Sequence, residues 1–333
     1  MIEPRHRRSW RRLAAAVGIS GFSGLSGFAS LAVAAGPTAA LPAKQASGIS
    51  ADTISWLVQD MAPHFTFLAG KPPQRPADLG RGENDGFLRL LIARLPQYQH
   101  RFVDAGLPRF EMLVRQGQTL CSTLHLRTPE RLSWLYFTHL YPPLFVRQIH
   151  VVVNRDNLAK FAPQGAATGG SPMLSLSDIL QRNDLVGLLP RGRSFGPRVD
   201  ELLRAHPERA PQTVVALHGT HLLNMLRAHR MDYTLEYPSV VDNFMKNANA
   251  EQQLVKLPFA EGRSTAVVSV GCSRSPEGLK QITAIDRAVR QLAQDPQRET
   301  WLRSWRGNPP DERDRQLINH FMDERARGGP QIE

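Results

Sequence analysis

The sequence has few cysteines and few aromatic residues, with two Cys and 7% Phe, Trp and Tyr in 333 residues. Two cysteines without a C-x-x-C pair argue against a thiolate zinc site. Acids lie between the 41 lysines and arginines, and no basic run is interleaved with aromatic residues, so we predict no nucleic-acid binding. The mildly positive charge favours an anionic ligand or an acidic partner instead. At this length the chain can form two domains with their own cores.

The N-terminus has the three parts of a signal peptide. A basic segment from Arg5 to Arg12 precedes an apolar stretch from Leu13 to Val33, and Ala32-Val33-Ala34 fits an A-x-A cleavage site. Glycines and serines within the apolar stretch make it a poor permanent anchor, and an uncleaved anchor is the alternative. We predict a signal peptide over 1–34, a disordered leader over 35–50, and export to a bacterial periplasm by the general secretory rather than the twin-arginine route.

Export changes what the two cysteines imply. Cys121 and Cys272 each lie within or at the end of a predicted strand, and an oxidising compartment lets them form a disulfide. Two free, buried thiols are the alternative. His218 and His221 stand three apart at a predicted strand–helix junction and could ligate a metal, but no third ligand follows in spacing. A loop and helix-cap role is the alternative for these histidines, and we predict neither a metal nor a cofactor.

From residue 53 onward, apolar runs of strand length alternate with amphipathic stretches of helix length. The predicted strands are 53–58, 98–102, 119–126, 149–153, 185–189, 213–217, 231–235, 254–258 and 264–272. The predicted helices are 84–95, 108–116, a short one from 129, 176–181, 197–206, 220–229, one from 238, 277–293, 299–305 and 311–327. Such alternation predicts parallel strands flanked by helices.

The fold class predicted is α/β, with two lobes that are each a mostly parallel sheet flanked by helices. Lobe 1 is expected over 51–150 and 256–333, because the last strand and helices can complete the first unit. Lobe 2 is expected over 151–255. Two segments then cross between the lobes and leave a cleft, where sites for small ligands tend to form.

One stretch, from Gln116 to Tyr141, combines several signals. Gly117 can end the preceding helix, because glycine adopts positive φ without steric cost. Thr128-Pro129-Glu130 is a helix-start pattern that places Arg131 in the first turn, just beyond a predicted strand. Ligands of open α/β sheets collect at that edge, and a guanidinium can hold a carboxylate through two parallel hydrogen bonds. A surface arginine paired with a neighbouring acid is the alternative.

A series of short motifs occurs in a characteristic order. They are 53–65 with its Pro-His-Phe loop, Leu113-Val-Arg-Gln-Gly117, Thr128-Pro-Glu-Arg131, 174–180, Val186-Gly-Leu-Leu-Pro-Arg-Gly-Arg-Ser-Phe-Gly196, Leu226-Arg-Ala-His-Arg-Met-Asp-Tyr233 and Gly271-Cys-Ser-Arg-Ser-Pro-Glu-Gly278. Their order and spacing resemble family 3 of the bacterial periplasmic solute-binding proteins, whose type 2 fold includes amino-acid-binding proteins. The resemblance covers 54–305 and is greatest to an uncharacterised, orphan-like branch.

The resemblance implies two lobes that close on a ligand, and it implies roles for particular residues. Arg131 would hold a ligand carboxylate, and Asp232 would meet a ligand amino group. The turn Arg193-Ser194-Phe195-Gly196 would offer backbone N–H groups to an anion, as helix N-termini do. Phe65 and Tyr141 would form aromatic walls.

The chain also departs from the family near Asp232. Tyr233, Glu236 and Tyr237 stand where small residues are often found, and Leu120-Cys121 occupies a region where an Asp is common. Tyr233 and Glu236 therefore join the predicted ligand site, and an ordinary amino acid is not the expected ligand. Core packing is the alternative for Tyr233 and Tyr237, and a turn role is the alternative for Asp232.

The resemblance implies a non-enzymatic protein that captures a small, carboxylate-bearing ligand for uptake through an ABC permease or for a membrane sensor. We expect it to act as a monomer. The alternative is a secreted serine hydrolase, because Gly192-Arg193-Ser194-Phe195-Gly196 matches the G-x-S-x-G nucleophile elbow. Asp232 and His320 would complete its triad in chain order. Pro197 directly after the glycine suits a first helical position better than such an elbow.

Overall fold

The computed structural model describes residues 53–141, 148–161, 173–216, 219–249, 252–263, 266–300 and 311–333. The predicted signal peptide (1–34) and leader (35–50) lie outside the described residues, as does most of the helix predicted over 299–305. No helix in the described ranges combines the length and the apolarity that crossing a bilayer requires.

Strands and helices are numbered here in chain order. The strands are β1 (Thr53–Val58), β2 (Gln99–Asp104), β3 (Cys121–Ser122), β4 (Leu135–Tyr141), β5 (His150–Asn154), β6 (Leu188–Pro190), β7 (Gln212–Val214), β8 (Tyr233–Glu236), β9 (Leu254–Pro258) and β10 (Val268–Ser273). The α-helices are α1 (Glu83–Ala93), α2 (Leu107–Arg115), α3 (Leu176–Leu180), α4 (Pro197–Ala205), α5 (His221–Arg227), α6 (Pro238–Asn247), α7 (Pro276–Gln294) and α8 (Glu312–Arg327).

The first lobe is built on a five-stranded sheet in the order β2-β1-β3-β10-β4. Strand β1 pairs in parallel with β2 and β3, as helical crossovers require, whereas β10 pairs antiparallel with β3 and β4. Strand β10 enters this sheet on the chain's return from the second lobe. Trp56, Leu88 and Ile285 are buried in one core cluster to which β1, α1 and α7 contribute, so the early and late parts of the chain share one core.

The second lobe contains the antiparallel sheet β8-β5-β9 and the parallel pair β6-β7. A parallel bridge between Gly187 and Tyr233 connects the two. Strands β5 and β9 pair with each other over five residues, and each leads to or from the first lobe. The described residues thus form the two-lobed α/β architecture that the sequence predicts. The pairs β1–β2, β1–β3 and β6–β7 are parallel, and the pairs formed by β5 and by β10 are antiparallel.

The stretch from Gln116 to Tyr141 differs from its prediction. The strand expected over 119–126 is reduced to Cys121–Ser122, and the helix expected after Thr128 is a single 3-10 turn over Arg131–Ser133. Residues Leu135–Tyr141 form strand β4, which pairs along its length with β10. Local capping residues start a turn there, but pairing with a strand about 130 residues away determines that the next residues are extended, as tertiary pairing often does.

The predicted disulfide between Cys121 and Cys272 is present. The two residues face each other across the antiparallel pair β3–β10, and both side chains are fully buried in the core of the first lobe. The bond joins positions 151 residues apart. All of the second lobe lies within the loop that it closes, so the bond joins the parts of the first lobe that precede and follow that lobe in the chain.

We expect the Cys121→Ala/Cys272→Ala variant to unfold at a lower temperature and lower urea concentration than the oxidised wild type. Closing so long a loop restricts the unfolded chain by up to about 5 kcal/mol in the chain-entropy model. Urea denaturation with and without reductant measures the loss. Reductant should destabilise the wild type and leave the double variant unchanged; equal midpoints for oxidised and reduced wild type would contradict the expectation.

A buried ion pair attaches the last helix to the first lobe. Arg325 of α8 donates from Nη2 to Asp286 Oδ1 of α7 at 2.7 Å, and both side chains are buried. Thr138 of β4 donates to the same oxygen at 2.7 Å, and the Gln331 N–H does so at 3.2 Å. Burial raises the pKa of the Asp286 carboxyl, but the bonds from Arg325 and Thr138 outweigh burial, and the net pKa lies below its ordinary value.

Because the folded chain lowers the pKa of Asp286, its stabilising contribution is complete above the unfolded value of about 4 and is lost as pH falls through the folded value. We expect Asp286→Asn to lower the free energy of unfolding at pH 7 by about 3–5 kcal/mol, as for other broken buried pairs. The variant should also lose less stability than the wild type between about pH 5 and 2.

Urea unfolding across that pH range measures both effects. The matched control is Asp323→Asn, which removes the exposed partner of Arg298 and should change little. Equal acid sensitivity in the wild type and in Asp286→Asn would contradict this role for Asp286.

Candidate functional site

A cavity of about 120 Å³ lies between the two lobes. The first lobe contributes side chains from the β1–α1 loop and from the segment after β3, and the second lobe contributes the turn before α4 and the end of β8. The polar and titratable side chains that line it are His64, Asn84, Thr123, His125, Arg131, Arg193, Ser194, Glu236 and Tyr237. Apolar side chains, among them Leu124, Val240 and Val268, form the rest of the wall.

The lobes are in direct contact beside this cavity. Arg131 donates from Nη2 to the Gly192 carbonyl of the second lobe at 2.8 Å and from Nη1 to the Leu126 carbonyl of the first at 2.8 Å. The rings of His64 and Tyr237 meet edge to face across the lobes, with centroids 6.1 Å apart. Arg131 therefore joins backbone of both lobes at the wall of the cavity.

Arg131 is a buried cation without a described acid as ion-pair partner. The residue begins a 3-10 turn, and its backbone N–H donates to Thr128 Oγ1 at 3.2 Å. It is 6% exposed. Burial lowers the pKa of its guanidinium from the ordinary value, whereas the negative charges of Glu130 and Asp200 raise it. An arginine remains charged under such conditions, so the cavity has a positive wall at this point.

The second cation of the cavity, Arg193, is neutralised within its own lobe. It forms a two-pronged pair with Glu236, with Nη1–Oε2 and Nη2–Oε1 distances of 2.6 Å. Its guanidinium also lies over the rings of Phe195 and Tyr237, 5.4 and 5.3 Å from their centroids. Burial opposes the charge of Arg193, but the interaction with Glu236 is stronger and raises the pKa of Arg193 above its ordinary value.

At the turn before α4, the side chain of Asp200 already accepts the hydrogen bonds that a bound anion could accept. Asp200 accepts the hydroxyl of Ser194 through Oδ2 and the backbone N–H of Phe195 through Oδ1 at 2.8 Å. The Gly196 N–H donates to Ser194 Oγ at 3.3 Å, and Gly196 itself has φ of 101°, a conformation that glycine adopts readily. A carboxylate at a helix N-terminus is favourable, and here α4 provides its own.

The structure brings together some of the predicted ligand residues and separates others. Arg131, Arg193, Ser194 and Glu236 line one cavity. Phe65, Phe195 and Tyr233 are instead buried in hydrophobic cores, Phe65 in the first lobe and the other two in the second. Tyr141 has its backbone in β4, and its side chain lies outside the described part of the structure.

Asp232 does not line the cavity, although the resemblance assigned it a ligand amino group. Its Oδ1 accepts from Lys160 Nζ at 2.8 Å, and its Oδ2 accepts the Val186 N–H at 2.8 Å. The next residue, Tyr233, packs against Phe161 with ring centroids 6.0 Å apart. Asp232 thus has the structural role that was its alternative, because a lysine and a backbone N–H of its own lobe already satisfy it.

Two residues after the disulfide strand belong to the site and were not predicted. Thr123 is 6% exposed and lines the cavity, and its Oγ1 has no hydrogen-bond partner among the described residues. His125 lies against the ring of Phe110 at 4.6 Å, and its Nδ1 shares a 2.8 Å hydrogen bond with Ser122 Oγ. Burial, with help from the charge of Arg131, lowers the pKa of His125 well below 6.5, so this imidazole is neutral.

A period-two pattern does not account for these two residues. Strand β3 ends at Ser122, and the chain bends at Thr123 before it reaches His125, rather than continuing as an extended strand. The prediction treated 119–126 as a buried strand and so assigned its polar side chains no role. His64 was noted only as part of a loop; its Nδ1 lies 3.1 Å from Glu83 Oε2 at the edge of the cavity.

The hydrolase alternative was wrong about the triad, because its three residues lie apart. Ser194 donates its hydroxyl to Asp200, Asp232 pairs with Lys160, and His320 is an exposed residue of α8 in the first lobe, near Glu324. Of the histidine pair proposed for a metal, His218 lies outside the described residues. In the described ranges no cluster of three or more His, Cys, Asp or Glu side chains is placed to hold a metal ion.

No protein-family model matches the sequence, and no curated protein is similar to it at a significant level. Solved structures match the fold. A substrate-binding protein of an ABC uptake transporter from Streptococcus pneumoniae, with bound histidine, is 14% identical and covers 78% of this chain and 95% of its own, with a TM-score of 0.57. An ancestral arginine-binding protein bound to arginine is 13% identical over 77% of this chain and 99% of its own, with a TM-score of 0.54.

The periplasmic VFT2 domain of BvgS from Bordetella pertussis is 14% identical and covers 77% of this chain and 92% of its own, with a TM-score of 0.51. These comparisons confirm the two-lobed, type 2 periplasmic-binding fold that the motifs predicted. At such low identity the likeness concerns the fold, and the chemistry of the site rests on the residues of this chain.

We expect a fluorophosphonate probe to leave Ser194 unmodified, because its hydroxyl proton is held by Asp200 and none of its described hydrogen bonds is to an imidazole. Mass spectrometry of the treated protein, with a known serine hydrolase treated in parallel, provides the measurement. Covalent labelling at Ser194 that disappears in Ser194→Ala would restore the enzyme hypothesis.

Proposed function

We propose that this chain is an exported solute-binding protein that captures a small, carboxylate-bearing molecule between its two lobes. The observation that carries this proposal is Arg131, a buried guanidinium on the wall of the interlobe cavity without a described acid as ion-pair partner. Buried charges in proteins are usually paired. A ligand carboxylate would provide the missing countercharge and could accept two parallel hydrogen bonds from the guanidinium.

Arg131 also suggests how capture would affect the lobes. Its Nη2 donates to the Gly192 carbonyl at the turn before α4, so the cation that holds the ligand also contacts the opposite lobe. A ligand that fixes the orientation of Arg131 would stabilise the closed arrangement relative to a separated one. A ligand shifts such an equilibrium by its difference in affinity for the two states.

The destination of the captured ligand is either an ABC permease or a membrane sensor. Solved structures of the same fold include substrate-binding proteins of ABC transporters and a periplasmic domain of BvgS. We propose that the mature chain acts as a monomer in the periplasm, without a cofactor. Genes for a permease or for a sensor kinase beside its own gene would distinguish uptake from sensing.

A thermal-shift screen of amino acids, organic acids and small peptides tests the proposal. A ligand present at 100 times its dissociation constant should stabilise the folded chain by about 2.7 kcal/mol. We expect Arg131→Gln to reduce affinity by at least about 30-fold, because removing one partner of a buried charge pair costs about 2–5 kcal/mol.

The matched control is Arg89→Gln. Arg89 also donates from its guanidinium to two backbone carbonyls, those of Leu79 and Gly80, at 3.0 and 2.7 Å, but it does not line the cavity. The Arg89→Gln variant should be less stable than the wild type but should bind the ligand with the same affinity. A ligand-induced shift of wild-type size in Arg131→Gln would remove Arg131 from the site.

A further inference from the structure

Among the described residues that line the cavity, no carboxylate is available to a ligand ammonium group. Glu236 is the one acid among the described lining residues, and both of its oxygens accept from Arg193 at 2.6 Å. Oε1 also accepts the Tyr237 N–H at 2.8 Å. An ammonium ion placed near this pair would meet an arginine as well as an acid, so the pair provides little net attraction.

The described residues of the second lobe also do not provide the two contacts that a zwitterion would require. Asp232 is occupied outside the cavity by Lys160 and the Val186 N–H. The Phe195 N–H and the Ser194 hydroxyl, at the turn before α4, are taken by Asp200. Asp232, the Phe195 N–H and the Ser194 hydroxyl are therefore satisfied within the second lobe, and the charge that a ligand can compensate lies on the first lobe.

The first lobe offers a ligand several polar groups: besides Arg131 and Thr123, His64 and Asn84 line the cavity, and His64 Nε2 is buried without a hydrogen-bond partner among the described residues. Arg131 provides the positive charge, and Thr123 provides a buried hydroxyl without a hydrogen-bond partner among the described residues. His125 beside them is neutral, because burial lowers its pKa. A hydroxyl can donate to an oxo group or accept from a hydroxyl group, so Thr123 suits a neutral oxygen on the ligand.

The volume of the cavity favours a compact ligand. Its 120 Å³ is below the range of about 300–1,000 Å³ that is usual for drug-sized molecules, whereas a cavity of about 150 Å³ holds benzene. About six non-hydrogen atoms therefore fit. Leu124, Val240 and Val268 leave an apolar surface for whatever part of the ligand is not polar.

We propose that the ligand is a compact 2-hydroxy or 2-oxo monocarboxylate that carries no ammonium group. Its carboxylate meets Arg131, its second oxygen meets Thr123, and its short hydrocarbon part lies on the apolar wall. This inference rests on the proposed function and narrows it to one class of substrate. It also separates the chain from the histidine-bound and arginine-bound proteins that share its fold.

Four acids of equal or nearly equal size test the inference: lactate, pyruvate, 2-methylpropanoate and alanine. Lactate, 2-methylpropanoate and alanine each have six non-hydrogen atoms and differ only in a hydroxyl, a methyl or an ammonium group on the carbon beside the carboxylate. Isothermal titration of the mature, oxidised chain should show binding of lactate or pyruvate. Alanine should bind at least about 100-fold more weakly, because its ammonium group would be desolvated without a countercharge.

Thr123→Val should weaken the binding of lactate or pyruvate about 5–10-fold, the effect of one hydrogen bond. It should weaken the binding of 2-methylpropanoate less, because that acid has no hydroxyl or oxo oxygen beside its carboxylate. Equal losses for both kinds of acid would overturn the role of Thr123. Alanine binding as tightly as lactate, or binding of larger acids only, would overturn the inference and leave the proposed function standing. Failure of every acid and amino acid in the wider screen would overturn the proposed function itself.

A change of specificity provides an independent test. Arg193→Met removes the partner of Glu236 and leaves a carboxylate at the cavity, so the affinity for alanine relative to lactate should rise at least about 10-fold. The matched control, Arg193→Met/Glu236→Gln, has no free carboxylate and should show no such gain. An unchanged ratio in a folded Arg193→Met chain would overturn the inference; if that variant does not fold, the four-acid series on the wild type decides.

Discussion

The hydrogen bonds of Arg131 to one backbone carbonyl in each lobe are the interaction on which the arrangement of the site depends. The guanidinium is buried, charged and without a described acid as ion-pair partner, and it holds Leu126 of the first lobe and Gly192 of the second. Backbone carbonyls satisfy its N–H groups but do not cancel its charge. The same side chain therefore favours contact between the lobes and leaves a positive wall for an anion.

The second lobe presents the opposite situation. The charges of Arg193 and Glu236 cancel each other, and the Asp200 carboxylate accepts the Phe195 N–H at the turn before α4. A wall built in this way shapes the cavity but offers little net charge. The two-lobed fold is shared with proteins solved with histidine or arginine bound, yet the chemistry of this cavity differs, because function lies in particular side chains rather than in the fold.

The sequence predicted the fold well wherever an element is determined by its own pattern. Strand β1 and helix α7 lie within a residue or two of their predicted bounds, because a continuous apolar run and a capped amphipathic stretch each specify one structure. The prediction was wrong at 129–141, where a helix start was expected and a turn followed by strand β4 is found. Pairing with β10, far along the chain, decides that segment.

For the site, the sequence by itself singled out Arg131, although in a helix that is not found, and indicated that Cys121 and Cys272 could pair in an exported chain, because capping residues and cysteine context act locally. Only the tertiary structure decided which side chains meet. Asp232 and Tyr233 were assigned to the ligand and lie elsewhere, whereas Thr123 and His125 line the cavity. Whether a polar group is satisfied by its own lobe depends on distances between residues far apart in the chain, and no local pattern contains those distances.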